Sequence, residues 1–168
     1  MTSSTAILLF TRTASQEAEK KQFVSEGKKK NTKISQRLIS ASLRKIKRSQ
    51  LPYFVISSDQ QQGKSFGERF TNAIEAVFLK GYDKVIAIGN DSPQLTPQLL
   101  IHAANELSYK KLVLGPDKRG GIYLLGISRN AFNRNHLLNF HWNSPHLYQD
   151  FIKWRNDNNF SCTILPRL

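Results

Sequence analysis

Residues 84–97, K-V-I-A-I-G-N-D-S-P-Q-L-T-P, leave the chain few ways to fold. The run Val85-Ile86-Ala87-Ile88 is short, apolar and rich in β-branched residues, and turn formers bound it. Such a run reads as a strand buried on both faces. Gly89 lets the backbone turn or lets a ligand come close. Asn90 and Asp91 follow at once, which puts a carboxylate at the carboxyl end of a central strand. In open α/β sheets, ligands bind at that edge. Pro93 blocks continuation of the strand, and Thr96-Pro97 is a helix start, with Thr as N-cap and Pro in the first turn. Aspartate also favours turns by bonding nearby backbone N–H groups. The pattern therefore leaves two roles open for Asp91, turn former or ligand.

The rest of the chain alternates strands and helices around this segment. Strands are expected over residues 6–10, 53–56, 85–88, 111–114 and 122–125, the last ending at Gly126, with a final one over 162–165. A short solvated helix is expected over 14–23, then a basic loop over 27–33. Apolar residues spaced by three and four predict an amphipathic helix over 34–46. Phe66, Phe70, Ile74, Val77 and Phe78 mark a helical stripe, with Gly81 at its C-terminus. Further helices are expected over 97–107, over about 130–138 and after Pro145. The loop over 115–121 is too short for a helical crossover, which makes its two strands antiparallel or near neighbours. This alternation predicts an α/β layered domain with a mostly parallel sheet. At 168 residues, one domain spanning 1–168 is expected.

Charge and cysteine content narrow the partners. The net charge is +13, and residues 12–48 hold twelve Lys or Arg against three Glu, a local +9. Such a field attracts polyanions, phosphates or acidic membranes. Nucleic acid is thus one candidate partner, although Phe23 is the one aromatic residue among these cations and no known nucleic-acid motif appears. No apolar run is long enough to span a bilayer. Cys162 is the only cysteine, so no internal disulfide can form, which fits a reducing cytoplasm.

Three blocks carry a family resemblance: G-E-R-F-T-N-A-I-E-A-V-F at 67–78, V-I-A-I-G-N-D-S-P-Q-L-T-P at 85–97 and L-G-P-D-K-R-G-G-I-Y-L-L-G at 114–126. They resemble successive blocks of the bacterial selenodomain-associated glycosyltransferases. That group is a branch of the GT-A nucleotide-diphospho-sugar transferase superfamily. The resemblance implies a three-layer Rossmann-like GT-A fold whose mostly parallel sheet has one antiparallel strand. It implies an NTP or NDP-sugar bound over the first strand exits and a Mg²⁺ or Mn²⁺ ion at Asp91. Gly89 and Asn90 would then face the nucleotide, and Gly120 and Gly121 the second substrate. His141-Trp142 and Ser144-Pro145 resemble a W-S/T-x-P stretch of the family, which would put Trp142 in the acceptor pocket, while plain core packing is the equal alternative for such a residue. Arg12, Lys30 and Arg37, near the exit of the first strand, are candidate phosphate contacts.

Departures from the family pattern bear on activity. Its P-x-x-G-x-x-K-T-R-L loop survives here only as Gly27, Lys30 and Arg37-Leu38. Arg119 stands where the family has an acid before its Gly-Gly pair, and no Asp-x-Asp segment follows the last strand. Altered or lost catalysis is the corresponding expectation, leaving a non-catalytic nucleotide or partner binder as an alternative. His136, His141 and His146 are spaced by five and do not share one helical face. Zinc ligands are ordinarily closer together, so these read as surface or loop residues. Glu68 and Arg69 read as a helix start or an ion pair.

Overall fold

The computed structural model describes residues 4–12 and 27–168. The helix expected over 14–23 lies outside them. The first strand, β1 (Thr5–Thr11), leads across that gap to α1 (Lys28–Ser49). Then come β2 (Tyr53–Ser57), α2 (Phe66–Leu79), β3 (Lys84–Ile88) and α3 (Pro97–Leu107). The chain finishes with β4 (Leu112–Pro116), β5 (Ile122–Ser128), α4 (Arg134–Leu138), α5 (Leu147–Asn158) and β6 (Cys162–Ile164). The six strands form one sheet in the order β2-β1-β3-β5-β4-β6. β5 runs antiparallel to both of its neighbours, and every other pairing is parallel.

Side-chain alternation along the strands divides the core in two. Ile7, Leu9, Ile86 and Ile88 point to one face, where Ile46 of α1 and Leu100, Ala103 and Leu107 of α3 cover them. Ala6, Leu8, Val85 and Ala87 point to the other, against Phe70, Ile74 and Val77 of α2 and Phe151 and Trp154 of α5. The result is a three-layer α/β/α arrangement, as period-two strands flanked by amphipathic helices require.

Local signals set the element boundaries. Thr96 Oγ1 accepts the N–H of Leu99, and Pro97 opens α3, as its sequence predicts. Ser65 and Glu68 form a reciprocal capping box on α2. The N–H groups of Lys64 and Ser65 hold the Glu68 carboxyl below its ordinary range. Gly81, at φ +98°, turns the chain after α2.

Three expected boundaries are corrected. The basic stretch 28–33 is not a loop but the start of α1. Its inward positions are Asn31 and Ser35, both buried, so the apolar periodicity that betrays a helix is missing there. β5 does not end at Gly126 but continues to Ser128. A Cβ at Gly126 would lie 2.9 Å from both Leu107 Cδ1 and Val113 Cβ, so this glycine serves close helix–sheet packing. The helix expected from residue 130 begins only at Arg134, where Asn133 caps it.

Candidate functional site

Strand register gathers the candidate residues at one rim of the sheet. Thr11 pairs with Ser57, and Leu9 pairs with both Val55 and Ile88. The exits of β1, β2 and β3 are therefore level. Because β5 is reversed, its first residues lie at this same rim, with Ile122 opposite Pro116 and Leu124 opposite Ile88. Gly89, Asn90 and Asp91 thus leave the sheet between the β1 exit and the turn over 117–121.

The three residues after β3 have distinct environments. Gly89 is exposed, and a Cβ added there would meet only Phe10 O, at 3.8 Å. The space above it is open. Asn90 is 8% exposed, and its buried Nδ2 has no hydrogen-bond partner among the described residues. Asp91 is exposed to solvent. Two anchors hold the loop that follows: Leu95 is buried in the core, and Lys45 Nζ of α1 donates to Pro93 O at 2.7 Å. Burial lowers the Lys45 pKa.

Between α1 and the outer strand β2 lies a groove of about 460 Å³. Thr11, Arg12, Gln36, Ile39, Ser40, Val55 and Ser57 line it. A shallow hollow on the outward face of α1, bordered by Lys33, Gln36, Arg37, Ser40 and Arg44, adjoins it through the shared Gln36 and Ser40. Arg12 and Arg37 are thereby brought to contiguous hollows. Lys30 is exposed on the first turn of α1 and lines neither. Gln61 clips the rim, its Nε2 donating to Thr11 O at 2.8 Å and Ile56 O at 3.2 Å. Gln36, Ser40, Ser57 and Gln61 were not singled out in the sequence. Only strand register and the length of α1 bring them together.

The turn over 117–121 closes on itself. Asp117 Oδ1 accepts the N–H groups of Arg119 (2.7 Å) and Gly121 (2.9 Å). Gly120 has φ +88°, and a Cβ there would fall 2.1 Å from Pro145 O. A Cβ at Gly121 would meet Asp117 Oδ2 at 2.6 Å. Both glycines are therefore required by packing, and Lys118 and Arg119 are exposed on the turn. Trp142 is half-buried against Phe66 and Phe70, its Nε1 donating to Leu137 O at 2.7 Å. Asp150 accepts the His141 N–H at 2.7 Å and lies 3.0 Å from His141 Nδ1, pinning the segment that carries Trp142. Among the described residues no group of three or more His, Cys, Asp or Glu could hold a metal. No helix among them is long and apolar enough to cross a membrane. Burial raises the Cys162 thiol pKa, with Arg155 opposing, so the thiol is held in its unreactive form.

The fold defines the class. Over 98% of its length the chain matches the crystal structure of a protein from Desulfovibrio desulfuricans G20, provisionally assigned as a nucleotide-diphospho-sugar transferase. The TM-score is 0.84 at 22% identity, over 80% of that chain. Rv0371c from Mycobacterium tuberculosis H37Rv matches over 100% of this chain and 89% of its own, with TM-score 0.57 and 9% identity. Its complex with manganese matches at TM-score 0.54 and 9% identity, over 98% and 88% of the two chains. The architecture is thus a Rossmann-like nucleotide-diphospho-sugar transferase fold. The chain belongs to the DUF2064 family, described as an uncharacterized protein conserved in bacteria, whose profile matches residues 39–144. No curated protein matches the sequence.

Proposed function

We propose that this protein binds a nucleotide or nucleotide-sugar together with a divalent cation at Asp91, in the manner of a GT-A glycosyl- or nucleotidyltransferase. The selenodomain-associated branch is the group it resembles. The observation that carries the reading is the exposed Asp91 on the sheet rim, next to a buried amide donor that finds no acceptor among the described residues. Mg²⁺ or Mn²⁺ fits this donor set. Hard cations need only one or two protein carboxylates and complete their shells with water and phosphate oxygens. Zinc, which favours several closely spaced His or Cys ligands, does not fit. The manganese complex of Rv0371c supports the choice of metal.

The chain's own residues divide the remaining work. Gly89 leaves the space for a nucleotide to approach the backbone. Asn90 Nδ2 donates to a ligand oxygen. Arg12 and Arg37, at the adjoining hollows, neutralise phosphate charge, and Lys30 adds to the field from the first turn of α1. When bound, the cation would neutralise charge developing on the phosphate leaving group. Gly120 and Gly121, whose missing side chains face Pro145 and Asp117, keep the turn on the acceptor side in shape, and Trp142 anchors the 141–146 segment behind it. A cytoplasmic setting belongs to the same reading.

A second reading, a non-catalytic nucleotide binder, is favoured by the 117–121 turn. Its one carboxylate, Asp117, is engaged with backbone N–H groups, and it presents Lys118 and Arg119 outward. Binding is tested by thermal shift with nucleotides and nucleotide sugars, with and without Mn²⁺. A metal-dependent rise in Tm that disappears in Asp91→Ala is expected. No metal-dependent rise, or an equal one in the variant, overturns the site. Sustained turnover of any nucleotide sugar excludes the non-catalytic reading.

A further inference from the structure

The outward face of α1 is a continuous cationic stripe. The helix is 22 residues long and contains no Asp or Glu. At 100° per residue, Lys29, Lys33, Arg37, Arg44, Lys47 and Arg48 fall within one sector of about 120°. All six are exposed. The other exposed residues of that sector are Lys30, Gln36 and Ser40, so no apolar side chain breaks it. At 1.5 Å per residue the stripe runs about 28 Å. Among the described residues, none of the six forms an ion pair. A nucleotide needs two or three of these charges at one end of the helix. Lys47 and Arg48 extend well beyond that.

We propose that this face docks the phosphate backbone of a nucleic-acid duplex, a function beyond the nucleotide site. The partner must offer regularly spaced negative charge over tens of ångströms, and a duplex carries about one per 1.7 Å of axis. An anionic membrane fits less well. Interfacial helices insert an apolar face, and that of α1 is turned inward, with Ile46 fully buried beneath the sheet's own Ile7 and Leu9. Single strands fit less well too, because α1 offers no aromatic residue on which bases could stack. Phosphate contact alone makes the binding indifferent to sequence and steeply dependent on salt.

The test is fluorescence anisotropy with labelled 20-base-pair DNA and RNA duplexes, without nucleotide or metal. With about five phosphates engaged, the slope of log K against log salt should be near −4.5, a loss on the order of 500-fold from 50 to 200 mM NaCl. Lys33→Gln with Arg44→Gln, and separately Lys47→Gln with Arg48→Gln, should each flatten the slope by about 2. Lys80→Gln with Lys110→Gln, off the stripe, should leave it unchanged. Circular dichroism checks that the variants keep their helix content. Asp91→Ala should bind duplex like the wild type, so failure here and failure of the nucleotide site are separable. Equal losses in stripe and control variants would reduce the effect to net charge and overturn the proposal. So would absence of duplex binding at 50 mM NaCl, or binding to phosphatidylserine vesicles in preference to duplex.

Discussion

Replacing Asn90 with alanine separates a ligand-binding role from a structural one. Asn90 is 8% exposed, and its buried Nδ2 finds no acceptor among the described residues. A buried donor left unsatisfied costs about 1–3 kcal/mol. Truncation removes the donor together with its penalty, and loses roughly 1 kcal/mol of packing for the atoms deleted. The ligand-free variant should therefore match the wild type or exceed it by up to about 2 kcal/mol. In a chain of this length, 1 kcal/mol moves Tm by about 2–4 °C, so the variant should melt level with the wild type or up to about 8 °C higher. Binding should move the other way. A ligand oxygen that satisfies Nδ2 recovers the same 1–3 kcal/mol, so nucleotide affinity should fall by about 5- to 150-fold. Thermal melts without ligand and calorimetric titration with nucleotide sugar and Mn²⁺ read the two effects. A variant that melts well below the wild type yet binds nucleotide unchanged would refute the reasoning, making Asn90 a scaffold residue.

Two further outcomes follow from particular contacts. Gly120→Ala combines a positive φ with a Cβ 2.1 Å from Pro145 O and should destabilise by about 3 kcal/mol, lowering Tm on the order of 10 °C. A Tm within about 2 °C of wild type would show that the 145–148 segment yields. Burial pushes the Tyr123 phenol up to about 12, from an ordinary 10.0. The unfolded chain thus ionises at lower pH than the folded one, so stability is level below about pH 10 and falls as pH rises toward 12. Tyr123→Phe should remove that alkaline loss while forfeiting about 1 kcal/mol at neutral pH for the hydrogen bond to Pro166 O. Urea unfolding of both proteins at several pH values checks this, and parallel stability curves would exclude it.

Local patterns made most of the scaffold readable before any coordinates. The β-branched run at 85–88, the Thr96-Pro97 start and the stripe from Phe66 to Phe78 each form the element their spacing predicts. The layered α/β class follows from that alternation, and the reversed β5 agrees with the short 117–121 turn. Polar residues in inward positions hid the rest. Asn31 and Ser35 face the protein interior, which erased the hydrophobic signature of the first turns of α1. Gly126 reads as a stop but fills a tight helix–sheet contact. The S-x-x-E pattern of Ser65 and Glu68 was present in the sequence and identifies the α2 start once the box is sought. At the rim, Gly89 and Asp91 stand exposed on their loop, whereas the burial of Asn90 depends on contacts distant in sequence. The Gln36, Ser40 and Ser57 groove likewise depends on register, which no local window contains. Trp142 takes the packing role that its sequence already allowed, its side chain and indole N–H being committed to α2 and Leu137.

The self-closed turn at Asp117 has a consequence for how such a chain can change. Its backbone is held by one carboxylate and two glycines, none of which involves the side chains of residues 118 and 119. Those two positions can exchange acid for base, or large for small, while the framework beneath stays as it is. The charge presented on that flank can therefore drift over generations without any debt in folding.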